Sequence, residues 1–495
     1  MTETAKKKRG MPSSFTILLA LLAIVAVVTV IVSGTSGGAV TAARLSDFCT
    51  APVKGFADAL PVCLFVMILG GFLGMMTETG ALDNGIAVLV QKLKGNEIML
   101  IPVLMFIFSL GGTTYGMCEE TVPFYALLAA TMMAAGFDPM GGAAPGQSVL
   151  PGVGCGCLGS TVNPFAVGAA VDALTGVGIE VNQSIIIGLG AVLWIVTTVM
   201  SILFVMSYAK KVKADKGSTI LSMQELKDAE EAHGKAASEV HKEVKLTGRQ
   251  KGVLIAFAFT FVVMIVGFIP LADLNEGVAN FFDAGAVYDA DGNAIVQGWS
   301  ALITGLPIGQ WYFDEASTWF FLMAVLIGII GGLSEKQIVN TFITGAADMM
   351  SVVLVIALAR GISVLMASTG PAVYVLDAAA NALAGLSGVI FAPMSFLVYF
   401  GLSFLIPSTS GMATVSMPIM GPLAVKLGFS PEVMVMIFSA AIGVVNLFTP
   451  TSGAIMGGLA LAKIEWTTWL KFALKLIVAL SVVCAIILTV ACVML

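Results

Sequence analysis

Long apolar runs separated by short polar stretches dominate the chain. A run of about 18 or more apolar residues predicts a membrane-spanning helix, since about 20 residues of helix cross the hydrocarbon layer. The runs at 15–32, 57–77, 185–206, 253–269, 319–333, 349–366 and 470–493 read as spans. A weaker amphipathic stretch at 86–93 reads as an interfacial helix. Four more apolar segments are interrupted midway by small and hydroxylated residues, at 111–116, 159–164, 407–411 and 449–453. The first and third interruptions predict re-entrant helical hairpins. The second and fourth predict broken spanning helices. The expected fold is an all-α polytopic membrane protein with about nine full crossings plus two hairpins. Residues 208–251 differ in kind, holding 10 of the 24 Lys and Arg and no long apolar run. They read as an aqueous linker.

Composition sharpens this picture. Of 495 residues, 58% are hydrophobic and 11% charged, where a soluble domain is about a quarter charged. Mean hydropathy is +0.99. These values exclude a soluble enzyme and a disordered chain. A net charge of −6 without a basic patch leaves no nucleic-acid partner. The seven cysteines lie mostly in apolar runs, and the Cys155, Cys157 pair is too closely spaced for a zinc motif, so they read as packing residues. Both histidines, His233 and His241, fall in the linker. Haem ligation, HExxH zinc chemistry and a Ser-His-Asp triad within the membrane are thereby excluded.

Charge sets the orientation through the positive-inside rule. The N-terminal cluster Lys6, Lys7, Lys8, Arg9 and the linker together hold 14 of the 24 cations, whereas 271–318 holds none and seven acids. The N-terminus and linker are expected on the cytoplasmic side of the cell's inner (plasma) membrane, with 271–316 and the C-terminus outside. The expected organisation is a tail at 1–14, a first repeat at 15–207, the linker at 208–251, a connecting helix at 252–270, the external segment at 271–316 and a second repeat at 317–495.

The two halves match. Residues 55–80 and 345–370 align without gaps at an offset of 290, with nine identities in 26 positions, where chance gives roughly two. Thr113 to Met117 matches Ser408 to Met412, and Asn163, Pro164 matches Thr449, Pro450. In the expected topology one copy starts inside and the other outside, so the repeats are inverted.

Broken helices at membrane depth are tolerated only where they are buried or line a watery cavity. The four interruptions therefore supply the candidate binding residues: Thr113, Thr114 and Gly116; Ser160, Thr161 and Asn163; Ser408, Thr409, Ser410 and Gly411; Thr449, Thr451 and Ser452. Freed carbonyls and hydroxyls suit a hard cation, and helix N-termini suit a carboxylate. Na⁺ is a candidate near Thr114, Asn163, Thr409 and Thr449. By symmetry, valine at either Thr114 or Thr409 is expected to abolish uptake. Charges within apolar runs are costly and so candidates for function. Glu119 and Glu120 could bind a cationic group, carry a proton, pair with Arg360 or favour a helix N-terminus. Arg360 could clamp a substrate carboxylate or neutralise one of those glutamates. Asp58 and Asp348 read as symmetric N-caps.

The stretches Gly111 to Thr121, Gly345 to Asp348, Ala359 to Gly361 and Pro407 to Met412 resemble the C4-dicarboxylate anaerobic carrier branch of the ion-transporter superfamily, which includes the YfcC-like and ArcD-type basic amino-acid antiporter proteins. The resemblance implies two opposed hairpin tips, Thr113 to Gly116 and Ser408 to Gly411. Each would face an unwound turn, Ser160 to Pro164 or Thr449 to Ser452. It also implies a homodimer with a scaffold and a moving transport domain.

The resulting expectation is a secondary active transporter, not an enzyme, working by alternating access on a small carboxylate-bearing solute. An amino acid such as arginine or ornithine suits the Glu-bearing site, with a C4-dicarboxylate as the alternative. No resident cofactor is expected. Coupling would use Na⁺, H⁺ or solute exchange, since no P-loop is present. An ion channel or an intramembrane enzyme is the alternative of another class. No intramembrane histidine or Ser/Lys pair supports the enzyme, and no ring of like charge supports the channel.

Overall fold

The computed structural model describes residues 14–82, 97–116, 156–239, 245–269, 271–274, 276–289, 294–406 and 408–495, with isolated positions at 84, 85, 88, 118, 121, 122, 125, 128, 129, 133, 137 and 154. Seven helices among these are long and apolar enough to cross a membrane. They are α1 (Ser14–Ser33), α3 (Leu60–Glu78), α6 (Gln183–Ala214), α8 (Gly248–Phe268), α10 (Phe313–Gly331), α12 (Met350–Thr369) and α18 (Trp466–Met494). The protein is an integral membrane protein. Shorter apolar helices mark the interrupted segments: α4 (Leu100–Tyr115), α5 (Ala169–Thr175), α14 (Gly388–Leu405), α15 (Thr409–Lys426), α16 (Pro431–Val445) and α17 (Gly453–Leu461). The remaining two expected crossings are not among those seven; Pro164–Thr175 and Pro431–Val445 are shorter apolar helices. The amphipathic stretch at 86–93 lies, but for one position, outside the described residues. A helix not expected from the sequence, α13 (Pro371–Leu383), occupies the matching place in the second half.

The spans at 57–77 and 349–366 are each preceded by a further helix, α2 (Leu45–Asp58) and α11 (Glu335–Asp348). One residue, Ala59 or Met349, separates each from α3 or α12. Asp58 and Asp348 therefore close a helix; they do not cap the start of one, as the sequence had indicated. The apolar run begins after the preceding helix has ended, so hydropathy alone places the start of the element too late.

The packing of these four helices is reciprocal. Helix α2 lies along α12, and α3 along α11. A Cβ at Gly55 would fall on the Gly361 backbone, and one at Gly345 on the backbone of Gly70 and Gly71. Gly55 and Gly345 are equivalent at the offset of 290, as are Gly71 and Gly361, so the second contact repeats the first with the halves exchanged. Between them the Cys63 thiol lies 3.9 Å from the carbonyl of Val353, its own equivalent. Glycine is required here because only a bare backbone permits helices to approach so closely.

The linker is more helical than expected. Helix α6 runs on to Ala214, α7 spans Met223–Glu239, and α8 begins at Gly248 behind a Thr247, Gln250 capping box. Buried Glu225 docks it, accepting from the backbone N–H of Glu465 (2.9 Å) and of Ser222 (2.8 Å). Burial and the Glu225 carboxylate push the Glu465 carboxyl above its ordinary range, against Lys471. The acidic segment after α8 carries α9 (Glu276–Phe282) and a two-stranded hairpin, β1 (Val287–Tyr288) with β2 (Ala294–Val296).

Candidate functional site

The interrupted helices converge on a cavity of about 190 Å³. Its first-half wall comes from Gly116 at the tip of α4 and from Asn163, Phe165 and Ala166 after the first break. Its second-half wall is Ser408, Thr409 and Ser410 at the start of α15, with Thr451, Ser452 and Gly453 at the start of α17. Helix α12 contributes Ile356, Ala359, Arg360 and Ser363. Phe313 and Ile442 add apolar surface.

Gly116 ends α4 in the left-handed region, φ +77°. A Cβ there would lie 2.5 Å from Oδ1 of Asn163, so the close approach of tip and break requires glycine. Asn163 caps the helix that follows the break. Its Oδ1 accepts from Phe165 N–H (2.9 Å) and Ala166 N–H (3.2 Å), while its Nδ2 donates to Ser160 Oγ (3.0 Å). Ser408 caps α15 by accepting from Gly411 N–H at 3.2 Å. Ser452 stands at the N-cap of α17 with no side-chain cap bond. Three helix N-termini thus open on the cavity, each placing partial positive charge there.

Among the described residues, Arg360 is the one charged side chain on the cavity wall. Its Nε lies 3.6 Å from Oδ2 of Asp58, and 31% of its side chain is exposed. The partner weighed from the sequence, Glu119 or Glu120, lies outside the described residues.

Eight of the sixteen candidate residues line the cavity: Gly116, Asn163, Arg360, Ser408, Thr409, Ser410, Thr451 and Ser452. Thr113 is buried behind it, donating to the Gly159 carbonyl (2.7 Å) and lying 3.2 Å from Thr161 Oγ1. Thr161 returns bonds to the Thr113 carbonyl from its hydroxyl (3.0 Å) and its N–H (2.9 Å). Thr114 turns its hydroxyl back onto the Leu110 carbonyl (2.7 Å). Ser160 donates to the Cys157 carbonyl at 2.6 Å. Thr449 is buried, its hydroxyl 2.7 Å from that of Thr451. Gly411 sits behind Ser408. Of the four residues named for Na⁺, Asn163 and Thr409 share the cavity wall, whereas Thr114 and Thr449 do not.

Sequence reasoning overlooked Ser363, Ser439 and Asn446. Each follows from helical spacing. Ser363 is one turn beyond Arg360, and Ser439 and Asn446 are two turns apart on α16 and its end, so each pair shares a face. Helix α18 was also overlooked as a support. Its Trp469 Nε1 donates to the Leu447 carbonyl (2.8 Å) and Trp466 Nε1 to the Phe448 carbonyl (2.7 Å). These carbonyls are freed where α16 ends, and the indoles satisfy them.

Comparison with known proteins identifies the family. The profile of DcuC, the C4-dicarboxylate anaerobic carrier family, matches residues 35–493. An uncharacterized protein of Haemophilus influenzae is 28% identical over 448 residues, covering 90% of this chain and 78% of that protein. The putative basic amino acid antiporter YfcC of Escherichia coli is 27% identical over 446 residues, covering 87% and 77%. Among solved structures, MtrF of Neisseria gonorrhoeae, described as illuminating a class of antimetabolite efflux pumps, superposes with a TM-score of 0.43 at 17% identity over 98% of this chain and 96% of its own. The YdaH transporter of Alcanivorax borkumensis gives 0.44 at 14% identity over 96% and 97%. The chain belongs to the C4-dicarboxylate anaerobic carrier family of membrane transporters.

Proposed function

We propose that the protein is a secondary active transporter of a small carboxylate-bearing solute, with Arg360 receiving the carboxylate. The observation that carries this reading is a single guanidinium on a wall where three helix N-termini also point. Every one of these groups favours an anion. Because Arg360 is the lone cation there among the described residues, the site balances one carboxylate. An amino acid such as arginine or ornithine offers one carboxylate to Arg360, its cationic groups suiting the Glu119, Glu120 pair of the sequence. A C4-dicarboxylate is the second reading, favoured by the helix starts at Ser408 and Asn163, which could hold a second carboxylate.

Transport proceeds by alternating access between two inverted repeats, 15–207 and 317–495. The N-terminus and the linker face the cytoplasm, and 271–316 and the C-terminus lie outside the cell's plasma membrane. The working unit is a homodimer. Coupling uses Na⁺, H⁺ or exchange of a second solute. For Na⁺, Thr409 offers a hydroxyl oxygen of the kind it takes, whereas the Oδ1 of Asn163 already accepts two backbone N–H groups. Catalysis forms no part of this reading, since family relatives are transporters.

Counterflow in proteoliposomes tests the proposal, using labelled L-arginine, L-ornithine and succinate with and without Na⁺. One of them should show saturable, counterflow-stimulated uptake. Arg360→Gln should lower its uptake by ~10- to 100-fold, the loss expected for a hydrogen bond to a charged group. Unchanged uptake in this variant would overturn the role of Arg360, and a non-saturating current would favour a channel.

A further inference from the structure

Arg360 has a partner that the binding reading does not use. Asp58 is the last residue of α2, where a carboxylate meets the negative end of the helix dipole. Its equivalent, Asp348, closes α11 in the same way, and the position equivalent to Arg360 is Gly70. Among the described residues, only the first copy of the duplicated acid lies beside a cation. The approach of 3.6 Å is looser than the roughly 2.7–2.9 Å of a tight charge-assisted bond, and 53% of the Asp58 side chain remains exposed.

The two residues differ in their freedom to move. Asp58 sits three residues after Gly55, whose Cα packs on the Gly361 backbone, so α2 is held against α12 beside Arg360. Asp58 is absent from the cavity wall, whereas Arg360 stands on it. The long arginine stem can turn between the two, and the short aspartate on a packed helix cannot follow.

Resting on the reading of Arg360 as the carboxylate receiver, we propose that Asp58 is its resting counter-ion and exchanges with the solute carboxylate. In the empty carrier the guanidinium is neutralised by Asp58. In the loaded carrier it is neutralised by the solute. The guanidinium is never without a counter-ion in the apolar interior, where it would cost several kcal/mol, and in the loaded carrier the half-exposed Asp58 is the group left unpaired. Asp58 is thus a positioning residue: it weakens solute binding by competition and permits the empty carrier to reorient.

The test reads Arg360 directly, through its modification by phenylglyoxal in the purified full chain, followed by mass spectrometry of the Arg360 peptide. Asp58→Asn should speed modification by about threefold, and Asp58→Glu should restore the wild-type rate. Succinate or L-ornithine should protect, with half-protection at roughly two- to fivefold lower concentration in Asp58→Asn, since a half-exposed ion pair competes only modestly. In proteoliposomes Asp58→Asn should slow net uptake while sparing exchange. Protection at one concentration in wild type and Asp58→Asn overturns the exchange and leaves the carboxylate reading intact. Absence of protection in every variant overturns both.

Discussion

The two hairpin tips occupy equivalent positions and behave differently. The first is sealed to its own break. Thr113 and Thr161 exchange side-chain and backbone bonds, and Thr113 also takes the Gly159 carbonyl. The second tip makes no such seal. Ser408 caps its own helix, and the Thr409 and Ser410 hydroxyls make no hydrogen bond among the described residues while facing the cavity. The second break is closed from behind by Trp466 and Trp469 of α18. The first pair spends its hydroxyls on itself, whereas at the second tip Thr409 and Ser410 keep theirs toward the cavity. Sequence symmetry therefore does not imply equal participation in binding. A duplicated motif becomes a site only where no neighbour has already satisfied it.

Three experiments would break or sharpen this contrast. The largest effect is expected at Thr113, only 1% exposed. Thr113→Val leaves the Gly159 carbonyl without its donor, costing about 1–3 kcal/mol, and should lower the melting temperature of the purified protein. An unchanged melting curve would show that the seal is not structural. Next, Thr409→Val should weaken the apparent affinity for the transported solute by about tenfold with the melting temperature unchanged. Thr114→Val, whose hydroxyl only turns back on its own helix, should stay within about 0.5 kcal/mol in stability. Equal losses of uptake at both threonines would restore a symmetric site.

The smallest effect concerns the linker. The Glu465 carboxyl is raised by burial and by Glu225. The folded form thus holds its proton more tightly than the unfolded form, and this contribution is present at acid pH and lost as pH rises through the carboxylate range. Limited proteolysis near α7 should be slower at pH 5 than at pH 8. The opposite order would exclude the Glu225, Glu465 contact as the clasp.

Much of the fold was legible because hydrocarbon imposes a simple rule. Each apolar run of spanning length is a helix, and three of the four Gly-, Ser-, Thr- or Pro-rich interruptions are breaks, whereas α4 stays helical through the first as far as Tyr115. The helices α2 and α11 were not legible. Their mixed composition matches no span, and they are helical because glycines let them pack tightly against α12 and α3. The candidate site was half legible. Hydroxyls clustered at the interruptions pointed to four segments that all reach one cavity wall, but a list of hydroxyls does not say which ones are already bonded.

By itself the amino-acid sequence determined the membrane class, the duplication and the four interrupted segments, because apolar length and repeated spacing are properties of the chain alone. Only the tertiary structure decided that Arg360 faces Asp58, that Thr113 is spent and Thr409 free, and that two tryptophans close the second break. Those outcomes depend on which groups come within about 3 Å of each other, and residues 46 or 302 positions apart in the chain meet only once the helices have packed.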